Sequence, residues 1–112
     1  MVRKLSDIKK IVEKLSTLLE KQGIHIEQVI LYGSWAVNRQ NESSDIDLVI
    51  ISKDLKRFTY LERLEFLSII SWKLPAPLEI IGYTPEEIKN KGPDSIFWEE
   101  IQATGKVIYK AA

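Results

Sequence analysis

Apolar positions along the chain change period several times, and each change marks an element. Ile8, Ile11, Leu15 and Leu18 recur at three- and four-residue steps among lysines and glutamates, which predicts an amphipathic helix. Ser6 is placed to cap it and Gly23 to end it. "IEQVILYG" (26–33) is rich in β-branched residues and reads as a strand. Gly33-Ser34 then opens a turn or short helix, "NRQNESS" is a polar loop, and "DIDLVIIS" (45–52) reads as a second strand. Tyr60, Leu64, Leu67, Ile70 and Leu74 restore the helical period and predict a long, largely buried helix, stopped by Pro75-Ala76-Pro77. Leu78–Tyr83 reads as a third strand. Thr84-Pro85-Glu86-Glu87 is a capping box with proline at the first helical position. A short helix should follow it, then another over 95–104, and Lys106–Lys110 reads as a last strand. This order predicts an α/β (α+β) fold: one small mixed sheet of about four strands, with helices packed mainly on one face. Tyr60, Phe66 and Trp72 are expected in the core. Trp35 is expected to pack under its loop, and Trp98, beside Glu99-Glu100, to be partly exposed and able to anchor a partner.

Composition narrows the function classes. The 112 residues suffice for one domain, 1–112, with a single modest core. Sixteen basic and sixteen acidic residues cancel, so no overall field draws the chain to a long nucleic acid or an anionic membrane. No apolar run is long enough for a membrane span, and cysteine is absent. A reducing, cytoplasmic setting is therefore the expectation. A homo-oligomer is left open.

The chemistry concentrates between residues 33 and 47. Alternate side chains of a strand share a face, so Asp45 and Asp47 should point one way while Ile46 and Leu48 point into the core. Two carboxylates about 7 Å apart repel unless a cation neutralises them, and aspartate is a poor strand former. The pair is costly as scaffold and reasonable as a divalent-metal site, Mg²⁺ or Mn²⁺, because hard carboxylate oxygens suit those ions. Gly33 and Ser34 supply a complement. Free backbone N–H groups at the start of a helix, a glycine that permits close approach and a serine hydroxyl together suit a phosphate.

Gly33-Ser34, ten residues, then Asp45-Ile46-Asp47 resembles the G-S-x10-D-x-D signature of the polymerase-β-like nucleotidyltransferase superfamily. The flanks, "VILYGSWA" and "SDIDLVI", look like its small stand-alone branch, the minimal nucleotidyltransferases. The resemblance implies that fold and a third carboxylate after the long helix, here Glu79, where aspartate is commoner. It implies catalytic and metal-binding roles for Asp45, Asp47 and Glu79 around two Mg²⁺ ions, with Gly33 and Ser34 on the phosphates of a nucleoside triphosphate, ATP by preference. Family members often read G-S-x-A-R-G. Val37-Asn38 stands in place of the Arg-Gly, and Arg39 is the substitute candidate for the nucleotide-binding cation. The implied reaction transfers AMP to a hydroxyl of a separate HEPN-domain protein, as antitoxin to toxin. The alternative is a module of the same fold that neutralises its partner by binding alone. Aminoglycoside adenylylation shares the motif but needs an added substrate domain for which the sequence shows no room.

Overall fold

Helix α1 (Leu5–Lys21) sets its depth against the sheet through Ile8, Ile11, Val12, Leu15 and Leu19, all buried at helical spacing while its lysines face outward. The computed structural model describes residues 2, 4–41, 43–91 and 96–111; the expected helix start at Ser95 lies outside them. The cap of α1 is Lys4, not Ser6: the Lys4 N–H donates to Asp7 Oδ2 (3.1 Å), so the acid three residues on ties back the first turn. Gly23, with φ 78°, ends the helix as expected. Its N–H donates to Glu20 O (3.0 Å) and that of Ile24 to Leu19 O (2.9 Å), a Schellman closure with both apolar partners in the core.

Four strands follow: β1 (Gln28–Tyr32), β2 (Ile46–Ile51), β3 (Leu78–Tyr83) and β4 (Lys106–Lys110). Their order across the sheet is β3-β2-β1-β4, with β1 antiparallel to both β2 and β4 and β2 parallel to β3. A parallel pair needs a crossover, which helix α2 (Tyr60–Ser71) provides after a 3₁₀ turn at Lys53–Arg57. Helices α3 (Pro85–Lys91) and α4 (Ile96–Thr104) lie between β3 and β4. The capping box before α3 is formed, with Thr84 N–H on Glu87 Oε1 (2.8 Å) and Glu87 N–H on Thr84 Oγ1 (3.2 Å).

The larger core joins α1 and α2 to Val29, Leu31, Ile46, Leu48, Ile50 and Ile80 on one face. On the other face Ile30, Val49 and Ile51 meet Trp98 and Ile101 of α4. Two tryptophans exchange their expected places. Trp98 is buried, with Tyr83 edge-on at 6.3 Å. Trp72, expected inside, is 87% exposed, because α2 ends one residue earlier and its buried side runs through Arg63, Leu67 and Ile70. Tyr60 is likewise about half exposed, resting on Tyr83 at 5.9 Å, while half-buried Phe66 stacks on Phe58 at 5.3 Å. Trp35 does pack against the main core.

Arg63 is a buried cation that the apolar periodicity does not announce. Its Nε donates to Leu55 O (3.0 Å) and its Nη1 to Glu87 Oε1 (2.6 Å), tying α2 to the 3₁₀ turn and to the start of α3. Burial works against the Glu87 charge, yet Arg63 and the Thr84 N–H together hold its carboxyl below the usual glutamate range.

Candidate active site

Strand register decides which functional side chains meet. Tyr32 on β1 pairs with Asp47 on β2, and Asp47 pairs with Glu79 on β3, so the three stand in one row across adjacent strands and share a face. Ile46 and Leu48, their alternates, are fully buried in the opposite core, as the alternation requires. Asp45 lies just ahead of β2, exposed rather than within the strand, and its charge reaches Asp47.

The row is electrostatically strained. Burial, then the charges of Glu79 and Asp45, then a hydrogen bond shared with Glu79, push the Asp47 carboxyl from 3.8 up to about 6. Burial and the same two carboxylates, Asp47 and Glu79, also raise the Tyr32 phenol, which stays protonated at neutral pH. These are hard oxygen donors whose mutual repulsion a divalent cation would relieve, and in that respect they fit Mg²⁺ or Mn²⁺. Among the described residues no three acidic or histidine side chains are already gathered closely enough to enclose an ion. Mg²⁺ does not require such a cage, since one or two carboxylates and substrate phosphates complete its shell.

Gly33 is fitted to this row. Its φ is 73°, and a Cβ there would run into Asp47 Oδ2. Backbone thus lies directly against the carboxylate where any other residue would place a side chain. The segment Gly33–Val37 forms one 3₁₀ turn, closed by Arg39 N–H donating to Ser34 O (2.9 Å). Asn38 ends it at φ 56°, ψ 38°. Asparagine is among the few non-glycine residues that tolerate this left-handed conformation, so its presence where the motif expects glycine leaves the backbone path feasible.

A cavity of about 550 Å³ opens beside the turn, and Gly33, Ser34 and Arg39 all line it. Asp47 lies against Gly33, and none of Asp45, Asp47 and Glu79 lines the cavity. The rest of the wall is Tyr32 and Val37 on one side and Phe97, Glu100, Ile101 and Thr104 of α4 on the other. Sequence reasoning missed these α4 residues and Tyr32. The signal was present: 97, 100, 101 and 104 fall on one helical face, and Tyr32 immediately precedes the Gly-Ser pair.

Residues 13–112 match the family described as polymerase beta, nucleotidyltransferase. The chain belongs to that nucleotidyltransferase family. Two solved structures share the nucleotidyltransferase fold. One, from Sulfolobus solfataricus and described as a candidate nucleotidyltransferase, is 20% identical with a TM-score of 0.60, over 92% of this chain and 77% of that one. The other, from a toxin-antitoxin crystallised with AMP-PNP, is 16% identical with a TM-score of 0.62, over 92% and 73% of the two chains. No curated protein matches the sequence. Among the described residues of this nucleotidyltransferase domain, no helix is long and apolar enough to cross a membrane.

Proposed function

We propose that this nucleotidyltransferase domain moves a nucleoside monophosphate, AMP from ATP, onto a hydroxyl of a partner protein of the HEPN type, as the antitoxin of a toxin–antitoxin pair. The observation that carries the enzymatic part is the register-aligned row of Tyr32, Asp47 and Glu79 with Gly33 pressed against Asp47. It sets paired carboxylates behind a backbone turn, and that turn, with Ser34 and Arg39, faces a cavity of nucleotide size. The protein-partner part is supported by the fold shared with a chain of a toxin-antitoxin complex.

Asp45, Asp47 and Glu79 would hold the metal, two Mg²⁺ with Mn²⁺ as substitute, which supplies neutralisation of charge on the phosphates. The protein's own groups do the remainder. Ser34 Oγ and the Gly33–Ser34 backbone orient the β- and γ-phosphates, and the Arg39 guanidinium offsets their charge. The acceptor hydroxyl attacks the α-phosphorus. A new P–O bond forms, the bond to pyrophosphate breaks, and the hydroxyl proton passes to Glu79.

The test is transfer of label from α-³²P-ATP in Mg²⁺ to a co-expressed partner or to the chain itself. Label with the native chain and none with Asp47→Asn supports the enzyme. The second reading, neutralisation by binding alone, draws on the three acids not being gathered, among the described residues, closely enough to enclose an ion. It wins if both chains silence the partner equally and neither transfers label.

A further inference from the structure

The cavity beside the Gly33–Ser34 turn carries one acid that the proposed reaction does not use. Glu100 shares the lining with Arg39 and Ser34 and is itself exposed to the space. A carboxylate in a cavity of about 550 Å³ that also receives phosphates cannot face them without repulsion. It is acceptor-only when ionised, so the part of a ligand it suits is one that bears donors. Helix α4 fixes which part. Phe97, Glu100 and Thr104 fall on its cavity face, and Phe97 meets Tyr32 edge-on at 5.6 Å, with part of its ring still open. An aromatic face suits a nucleobase. Glu100 lies three residues further along the helix, about 4.5 Å in axial rise, near enough for one nucleoside to meet both side chains. Gly33, Ser34 and Arg39, which suit the phosphates, line the same cavity.

We infer that Glu100 is a specificity-determining residue that accepts hydrogen bonds from the ribose hydroxyls, so that the site takes ribonucleotides over deoxyribonucleotides while Phe97 carries the base. This rests on the nucleotide reading of the cavity. It goes beyond that reading by naming the sugar and the side chain that selects it. Glu100 is the one acid among the described residues lining this cavity, and the neighbouring Thr104 hydroxyl already donates to the Glu100 carbonyl (2.8 Å).

The experiment is calorimetric binding of ATP, GTP, 2′-deoxy-ATP and 3′-deoxy-ATP, with Mg²⁺, to the native chain and to Glu100→Gln and Glu100→Ala. Thermal unfolding run alongside checks that the variants fold. A charge-assisted hydrogen bond lost from a site is worth roughly tenfold or more in affinity. The native chain should therefore bind ATP at least that much tighter than one of the deoxy analogues. Both variants should weaken ATP selectively and bring the ratio close to one. Nucleotide binding with no ribose preference in the native chain, or a preference that survives both substitutions, overturns the inference and leaves the proposed function standing. A preference for GTP over ATP that the variants erase, with the sugar ignored, assigns Glu100 to the base edge and also overturns it. If the native chain binds no nucleotide at all, the proposed function falls and this inference falls with it.

Discussion

Replacing Asp47 by asparagine should make the protein more stable while disabling it. The native carboxyl titrates at about 6 against 3.8 for an unperturbed aspartate, so the folded state holds a proton that the unfolded chain has already released. Below about pH 4 both states are protonated and the site contributes nothing. Between about pH 4 and 6 the unfolded state binds fewer protons, so native stability falls as pH rises, and the deficit persists above pH 6. A tenfold change in proton affinity corresponds to about 1.4 kcal/mol, so a rise of this size would give about 3 kcal/mol for a fully buried group. Asp47 is partly open to solvent, whose screening reduces this to about 1 kcal/mol. The asparagine amide would never carry the charge. In chelator-treated protein, Asp47→Asn should therefore unfold about 4 °C above the native chain at pH 7.5 and at the same temperature at pH 3.5. Thermal circular dichroism at five pH values measures it. A variant equal to or less stable than the native chain at pH 7.5, or a gap independent of pH, would refute the burial and repulsion argued for this carboxylate.

Two further substitutions probe the supports of the site. Gly33→Ala puts a Cβ into the Asp47 carboxylate at φ 73° and should cost about 2–3 kcal/mol, read as a lower urea midpoint. Arg63→Ala strips a buried cation from Leu55 O and Glu87 and should cost about 3 kcal/mol. Its pH signature opposes that of Asp47: the native carboxyl of Glu87 is held low, so the stability it lends is present above the unfolded glutamate range and lost in acid, and Arg63→Ala should flatten that acid limb.

The site was legible where local chemistry and period agree. The two-residue alternation of "DIDLVI" against buried neighbours makes Asp47 conspicuous, and Pro75 and Pro77 delimit the strand that carries Glu79. That Asp47 and Glu79 face one another depends on parallel pairing between distant segments, and only register discloses it. Asp45 was read as a strand residue because hydropathy does not distinguish the last loop position from the first paired one. Helix α2 misled for a different reason. Leu61, Leu64, Leu67, Ile69, Ile70 and Trp72 surround it, so no single face stands out, and the polar Arg63 takes an inward place that its partners on the 3₁₀ turn and α3 explain. In α4 the helical face was visible in the spacing, but half of it borders a cavity instead of the core.

The crossover between β2 and β3 has a kinetic meaning. Closing a long loop precedes any reward from parallel pairing, which makes such contacts slow to form. β3 is also an edge of the sheet, paired on one side only. The like charges on Asp47 and Glu79 therefore meet only once that loop has closed and β3 has paired with β2. Whatever relieves that confrontation steadies an edge strand that pairing holds on one side only.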